Sequence, residues 1–149
     1  MCSIAAPNTA SGIRALVAVA DGMGGHQGGE VASNLAIEGV VEHLGKNSGV
    51  DLLGSERSET LAGIIHQIHE HVRSRSNTPE TMGMGTTLSI AVIGDENVLI
   101  GHVGDSRIYR ARDGNLTQLT EDHSWVAEEV RRGNLTPEQA EDHPRRNLI

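Results

Sequence analysis

An aliphatic run that ends in an aspartate and a cluster of glycines constrains this chain more than any other feature. Residues 15–20 are all Ala, Leu or Val, Asp21 follows them directly, and glycine occupies positions 22, 24 and 25. A nearly continuous apolar run of this kind is typical of a buried strand. We therefore predict a strand over residues 13–20 that delivers one carboxylate to the rim of a sheet. The glycines beyond it leave the backbone open to close approach by a metal ion or a phosphate.

A second aliphatic run ends in the same way. Residues 98–103 read Val, Leu, Ile, Gly, His and Val, and Gly104 and Asp105 follow them. Hard divalent cations take oxygen ligands, and carboxylates are the commonest of these. Two strand-end aspartates flanked by glycine therefore predict a metal site in which Asp21 and Asp105 are the candidate ligands.

The composition narrows the class of protein. With 149 residues, no Phe, one Tyr and one Trp, the chain is expected to form one domain with an aliphatic core. Its net charge of −8 argues against a nucleic-acid or membrane-surface role, because both need a basic face. The single cysteine, Cys2, excludes an internal disulfide and is typical of a reducing compartment. No apolar run is long enough to span a bilayer, and we expect a cytoplasmic protein.

The hydrophobic periodicity predicts helices and strands in an α+β order. Two long helices are expected, over residues 30–44 and 59–75. Strands are expected at four later places, over residues 86–93, 98–103, 107–111 and 116–119. A hairpin turn is predicted at Asp113 and Gly114, and two short helices are predicted after it, over residues 124–132 and from Thr136. The polar residues 46–58 are expected to form a surface linker.

The glycine-rich segment, residues 22–29, precedes the first predicted helix, which is a position where phosphates bind. It does not match the dinucleotide-binding pattern, because Gln27 stands where a glycine is needed, and it lacks the Lys-Ser/Thr pair of a P-loop. A tight structural turn from strand to helix is the alternative explanation for the glycines. Asp21 would repel a phosphate unless a cation lay between them, so metal-mediated phosphate chemistry accounts for both features.

Four segments of the chain resemble, in order, the motifs of bacterial metal-dependent Ser/Thr protein phosphatases of type 2C, the PPM family. These are residues 19–33, 83–88, 101–109, and 119–124 with the run to residue 147. The resemblance implies part of a four-layer α-β-β-α sandwich with antiparallel central sheets. It also implies that residues 1–149 form a single incomplete PPM-type domain, in which residues 120–149 correspond to the flap-like segment that selects substrates.

The resemblance also implies a metal centre. In that family two Mg²⁺ or Mn²⁺ ions activate a water for direct attack on phosphorus. Asp21 would bridge both ions, the carbonyl of Gly22 would bind one of them, and Asp105 would help to hold a third ion. Met23 stands where many eukaryotic members have a histidine proposed as general acid, so no catalytic side chain is assigned. The implied substrates are phosphoserine and phosphothreonine in phosphorylated proteins, and the implied role is to oppose a Ser/Thr kinase.

Part of the family pattern is missing from the sequence. No acid occurs in residues 1–20, where the family has a metal-binding acid, and Arg14 is not equated with the phosphate-binding arginine of that region. Two later aspartates would fall beyond Ile149. One of four expected carboxylates is therefore present, and we expect a fragment that is inactive alone. One alternative is a non-catalytic phosphatase-like module that binds a phosphoprotein or another partner, and a nucleotide-binding domain built on the glycines is a third.

Several other polar residues are expected to have structural roles. The resemblance implies that Arg107 braces the sheet by pairing with an acid, and that Thr86 and Thr87 are buried strand residues that support the site without being ligands. The three histidines in residues 66–71 are expected on a solvated helix face rather than in a metal cluster, because only two of them share a face. His102 is expected to pack in the core.

Overall fold

The computed structural model describes residues 2–5, 13–45, 52 and 54–149. The chain divides into two compact units, Met1–His102 and Val103–Ile149. The elements of the first part of the chain are β1 (Cys2–Ala5), β2 (Ala15–Val19), β3 (Gly22–Met23), α1 (Gly25–Leu44), α2 (Arg57–Ser74), β4 (Gly85–Thr86), β5 (Leu88–Ile93) and β6 (Val98–Val103). Those that follow are β7 (Tyr109–Arg112), β8 (Asn115–Gln118), α3 (Trp125–Arg131) and α4 (Pro137–Glu141).

The first unit is built on a four-stranded sheet in the order β1-β2-β5-β6. Strand β2 pairs antiparallel with both β1 and β5, so that Val17 lies opposite Ile4 and Ala91. Alternate residues of β2, Leu16 and Ala18, are buried, in one aliphatic core with side chains of α1, α2 and β5. The mixture of helices with antiparallel sheet confirms the predicted α+β class.

The apolar stripe of α2 explains how this helix packs. Leu61, Ile64, Ile68 and Val72 are buried, as the helical spacing predicts. The helix occupies Arg57–Ser74, against a predicted span of residues 59–75. The predicted linker over residues 46–58 lies mostly outside the described residues. Within the described residues, no helix is long and apolar enough to cross a membrane.

Helix α1 corrects the prediction for the glycine-rich segment. It begins at Gly25, five residues before the predicted start, so that residues 25–29 are helical and not part of a loop. Glycine costs about 1 kcal/mol relative to alanine inside a helix. This cost was expected to keep the glycines out of the helix, but it does not prevent α1 from beginning at Gly25. Gly28 and Gly29 are buried, so close packing decides the conformation of this turn. The helix ends at Leu44, before Gly45, as predicted.

Two strands also differ from the sequence-based expectation. Strand β1 was not predicted, because Cys2–Ala5 is too short to show a clear alternation of polar and apolar residues. The strand expected over residues 86–93 is divided into β4 and β5, with Thr87 between them. The division occurs because β4 pairs with β3 while β5 pairs with β2.

The second unit confirms the predicted turn and caps. Strands β7 and β8 form a hairpin whose turn residues, Asp113 and Gly114, have φ values of 52° and 76°. Two positive φ values are the mark of the primed turns that close two-residue hairpins. The hydroxyl of Ser124 caps α3 by accepting from a backbone amide, and Thr136 with Gln139 forms a capping box on α4.

The single tryptophan of the chain lies at the start of α3. The ring of Trp125 is half-buried, and its centroid is 4.7 Å from that of the His143 ring. The guanidinium carbon of Arg145 lies 5.1 Å from the tryptophan ring, within the range of a cation–π contact. These contacts tie the residues after α4 to α3.

Candidate metal centre

Asp21 lies in the short connection between β2 and β3, and two threonines fix its main chain. Its amide donates to Oγ1 of Thr87 at 3.0 Å, and its carbonyl oxygen accepts from the amide of Thr87 at 2.9 Å and from Oγ1 of Thr86 at 3.1 Å. The side chain is exposed, and its carboxylate forms no hydrogen bond or ion pair with any described residue. The expectation that both threonines are buried strand residues holds only in part, because Thr86 ends β4 and is half-buried, whereas Thr87 is buried and lies between β4 and β5. The carboxylate oxygens of Asp21 are left available.

Gly22 and Gly29 bring two backbone segments into direct contact. A Cβ added at Gly22 would lie 1.8 Å from the carbonyl oxygen of Gly29, and one added at Gly29 would lie 2.7 Å from the carbonyl oxygen of Gly22. Neither position can carry a side chain unless the backbone moves. Gly24 is the N-cap of α1, with φ of 111° and no side-chain cap hydrogen bond. The glycines thus hold the start of α1 against the strand end that carries Asp21.

Asp105 lies in the second unit, in the turn that follows β6. Its side chain is half-buried. The preceding residue, Gly104, has φ of 109° and is bonded to His123 through both of its backbone groups. Its carbonyl oxygen accepts from the amide of His123 at 2.8 Å, and its amide donates to Nδ1 of that histidine at 3.3 Å.

The residue two positions after Asp105 forms the ion pair that the sequence analysis expected. Nε of Arg107 donates to Oδ1 and Oδ2 of Asp122 at 2.8 and 3.0 Å, and Nη2 donates to Oδ2 at 2.6 Å. The side chain of Asp122 is 14% exposed and that of Arg107 is 49% exposed. The hydrogen bonds to Asp122 raise the pKa of the Arg107 guanidinium above its ordinary value. The expected pairing of Arg107 with an acid is confirmed, and the acid is Asp122.

A cavity of about 680 Å³ opens in the second unit beside this turn. Its lining combines Asp105 and Arg107 with the faces of α3 and α4. Two of its arginines are neutralised, Arg107 by Asp122 and Arg131 by Glu121 and Glu128. The apolar part of the lining consists of Val126, Ala127, Val130, Pro137 and Ala140.

The residues available to a metal ion are oxygen donors placed in both units. Asp21 and Gly22 lie in the first unit and Asp105 lies in the second. Carboxylate and carbonyl oxygens suit Mg²⁺ and Mn²⁺, which prefer such ligands to nitrogen or sulfur. No group of three or more His, Cys, Asp or Glu that could hold a metal occurs among the described residues. Each of these donors is of a kind that suits a hard cation.

The histidines behave as structural or solvated residues. The rings of His66 and His69 stack with centroids 6.2 Å apart on the exposed face of α2, where His71 is also exposed. The expectation of a solvated face is therefore confirmed. His102 is half-buried and its Nδ1 lies 2.9 Å from Oγ of Ser89, so it is less deeply buried than a core position.

The family model for protein phosphatase 2C matches residues 5–148. The chain belongs to the protein phosphatase 2C family. Among curated relatives, it is 42% identical over 137 residues to the serine/threonine protein phosphatase PstP of Mycobacterium tuberculosis (strain ATCC 25618 / H37Rv), covering 90% of this chain and 25% of the relative. It is 40% identical over 135 residues to the serine/threonine phosphatase stp of Listeria monocytogenes serotype 4b (strain F2365), covering 90% of this chain and 53% of that relative.

Solved structures of the family have the same fold. The crystal structure of the Mycobacterium tuberculosis phosphatase PstP/Ppp matches with a TM-score of 0.80 at 37% identity, covering 99% of this chain and 59% of that one. The catalytic domain of PstP in complex with two manganese ions matches with a TM-score of 0.73 at 36% identity, covering 93% of this chain and 56% of that one. The α+β sandwich expected from the resemblance is confirmed. The chain spans about half the length of the Listeria phosphatase and a quarter of PstP.

The two hydrogen bonds between Gly104 and His123 are the main feature that the sequence analysis missed. Their signal is present in the sequence, in the predicted turn at Asp113 and Gly114. That turn sets a register in which Tyr109 lies opposite Gln118. Five residues further along each side, the same register places Gly104 opposite His123. Counting outward from the turn along both strands therefore identifies the segment that faces the Asp105 turn.

Proposed function

We propose that this chain is part of a phosphatase that removes phosphate from phosphoserine and phosphothreonine in proteins. The observation that carries the proposal is the exposed carboxylate of Asp21, held by its main chain at a strand end and left without a partner among the described residues. The substrate class is supported by the relatives, which are named as serine/threonine phosphatases. Opposition to a Ser/Thr kinase and a cytoplasmic location belong to the same proposal.

Asp21 and the carbonyl of Gly22 would serve as ligands of a two-ion centre, and Asp105 would help to hold a further ion. Such a centre supplies a metal-activated water for in-line attack on phosphorus. A neighbour with two bound manganese ions supports Mn²⁺ as one suitable metal, and Mg²⁺ is equally compatible with oxygen ligands. Thr86 and Thr87 fix the main chain of Asp21, so its carboxylate needs little reorganisation on binding.

Residues 1–149 would then be one PPM-type domain, incomplete in its ligand set, with residues 120–149 acting as the flap-like segment. The cavity in the second unit would receive the peptide on one side of the phosphorylated residue. Its lining of both apolar and charged side chains suits a mixed peptide segment better than a flat surface would.

The metal role of Asp21 is tested by thermal melts of the product of the complete reading frame that contains this chain, each with EDTA and with excess Mn²⁺. A ligand that binds only the folded state raises Tm. Wild type is expected to gain Tm with Mn²⁺, and Asp21→Asn is expected to lose that gain while being at least as stable as wild type in EDTA. Asp142→Asn, which removes an exposed carboxylate elsewhere, is the matched control and should keep the gain. Equal Mn²⁺ shifts in all three proteins would contradict the role of Asp21.

Activity is tested on the product of the complete reading frame that contains this chain. It is expected to hydrolyse a phosphothreonine peptide with millimolar Mn²⁺, and to lose this turnover with EDTA or with Asp21→Asn. The 149-residue chain alone is expected to stay at background, because one bridging carboxylate does not hold two ions. EDTA-sensitive turnover by the 149-residue chain would contradict the claim that its ligand set is incomplete.

The second candidate is a non-catalytic phosphatase-like module that binds a phosphoprotein or another partner. It is favoured by one observation, the absence of a three-ligand cluster in the described part of the chain. Binding of the same phosphopeptide by the complete protein without any turnover would support this candidate and reject the first.

A further inference from the structure

The turn that carries Asp105 is the inner end of a long hairpin, residues 104–123, which we call the 104–123 arm. Beyond the ends of β7 and β8, two backbone hydrogen bonds link the two sides of the arm. The amide of Leu119 donates to the carbonyl of Ile108 at 2.8 Å, and the amide of His123 donates to the carbonyl of Gly104 at 2.8 Å. Both bonds keep the register set by the turn at Asp113 and Gly114.

Hydrophobic burial does not hold this arm in place. Every residue of β7 and of β8 is exposed. Thr120 is buried near the inner end, where its Oγ1 accepts from the amide of Ile108 at 3.1 Å. Isolated hairpins without an apolar face are marginally stable in water. The inner end must therefore be fixed by polar contacts.

Two acids near that end create an electrostatic problem. Asp105 and Asp122 adjoin the hydrogen-bonded residues Gly104 and His123, and like charges on facing segments destabilise their pairing. Arg107 removes the conflict, because its guanidinium takes the carboxylate of Asp122 through three hydrogen bonds of 2.6–3.0 Å. The amide of Gln118 adds a fourth, from Nε2 to Oδ1 at 3.3 Å. The carboxylate of Asp122 is thus fully engaged, and that of Asp105 is left to bind elsewhere.

The guanidinium of Arg107 is poorly placed to bind a substrate phosphate. Its Nε and Nη2 both face Asp122, and its Nη1 donates to the hydroxyl of Tyr109 at 3.3 Å. The edge of the guanidinium formed by Nε and Nη2, which can bind an oxyanion through two parallel hydrogen bonds, is therefore already occupied by Asp122. Its role is to hold the arm.

We propose that Arg107, Asp122 and His123 form a clamp that positions the Asp105 turn for binding a divalent cation. Arg107 and Asp122 fix one side of the turn through their ion pair, and His123 fixes the other through both backbone groups of Gly104. All three are positioning residues and none is a ligand. The inference rests on the proposed role of Asp105 as a metal ligand.

The clamp is tested by titrating the ¹⁵N-labelled 149-residue chain with Mn²⁺ and following the paramagnetic broadening of the amide signals of residues 104–106. Arg107→Lys keeps the charge and loses the planar fork. It is expected to raise the Kd for Mn²⁺ at these signals about tenfold, the lower end of the range for partners that orient metal ligands. Arg131→Lys is the matched control, because Arg131 also pairs with acids in the second unit, and it should leave the Kd unchanged.

Two further measurements separate positioning from folding and from the metal role itself. The emission of Trp125 should be the same in wild type and in Arg107→Lys, which shows that the second unit is folded. Should the emission change, Asp122→Glu replaces it, since this variant keeps the charge and moves the carboxylate, and the same loss of affinity is expected. Asp105→Asn should abolish the broadening at residues 104–106.

Each outcome decides a different claim. An unchanged Kd in a folded Arg107→Lys, with broadening that depends on Asp105, overturns the clamp and leaves the proposed metal role of Asp105 intact. Broadening that persists in Asp105→Asn overturns that metal role and the clamp with it. A tenfold rise in Kd for Arg107→Lys, with Arg131→Lys at the wild-type value, supports both.

Discussion

The turns that carry Asp21 and Asp105 are held by different forces. Around Asp21 the contacts are neutral: hydrogen bonds from two threonines and the direct backbone contact of Gly22 with Gly29. Around Asp105 they are an ion pair and a histidine on an exposed hairpin. The first turn adjoins an aliphatic core and can rely on shape, whereas the second has no core of its own in the hairpin and relies on charge-assisted bonds.

The difference predicts opposite sensitivities. At the Asp21 turn, added atoms should lower the stability and changes of charge should have little effect, because backbone atoms there are in direct contact. At the Asp105 turn, added atoms at exposed positions should be tolerated, whereas any change in the ion pair of Arg107 with Asp122 should lower the stability. Substitutions at each turn therefore test whether the two turns are held by different forces.

The largest effect is expected for Gly22→Ala. The new Cβ would lie 1.8 Å from the carbonyl oxygen of Gly29, so the backbone must shift. We expect a loss of about 3 kcal/mol in the free energy of unfolding, the upper end of the usual cost of overpacking. Gly63→Ala is the matched control, since a Cβ there meets nothing within 4 Å inside α2, and it should be stabilising by about 0.5–1 kcal/mol. Urea unfolding of both variants measures the difference, and equal stabilities would refute the shape-based account.

An intermediate effect is expected for Asp122→Asn. This substitution keeps the size of the side chain and removes the negative charge that strengthens the three hydrogen bonds donated by Arg107. Hydrogen bonds to charged groups contribute about 1.5–3 kcal/mol, and since Arg107 is half exposed, solvent screening should reduce the loss to about 1 kcal/mol. Amide hydrogen exchange should quicken at residues 104–108 and 120–123, while the amide of Asp21 keeps the wild-type rate. Faster exchange at Asp21 would show that the two turns are not independent.

The smallest effect is expected for Thr87→Val. The substitution removes the oxygen that accepts from the amide of Asp21 and keeps the side-chain volume. A loss of about 0.5 kcal/mol, the lower end of the range for a neutral hydrogen bond, is expected, and it should be the same in 0.1 and 1 M NaCl. Urea unfolding at both salt concentrations checks this, with Asp122→Asn as the variant whose cost should shrink in high salt. A salt-dependent cost for Thr87→Val would mean that charge also acts at the first turn.

Local signals account for most of what could be predicted from the sequence. The turn at Asp113 and Gly114, the caps at Ser124 and Thr136 and the stripe of α2 all depend on residues close in sequence. The pairing of Arg107 with an acid was expected from the family resemblance, and its partner, Asp122, lies only 15 residues along the chain.

The rest depends on contacts between residues that are distant along the chain. The threonines that hold Asp21 lie 65 and 66 residues away, and no periodicity in the sequence connects those segments. The early start of α1 has the same origin, because the packing of Gly29 against Gly22 outweighs the poor helix propensity of glycine. Strand β1 exists because β2 offers it a partner. Tertiary contacts override local preference at each of these places.

The exposed surface of the 104–123 arm also has a consequence for sequence variation. A one-residue slip of a strand is normally prevented because it would turn an apolar face towards water, but β7 and β8 have no buried face to protect. The register of the 104–123 arm therefore depends on its two ends, which are the tight turn at Asp113 and Gly114 and the ion pair of Arg107 with Asp122. Substitutions along the middle, at Arg110 or Thr117, should be close to neutral, whereas a change of length at the tip should misalign Asp105 eight residues away.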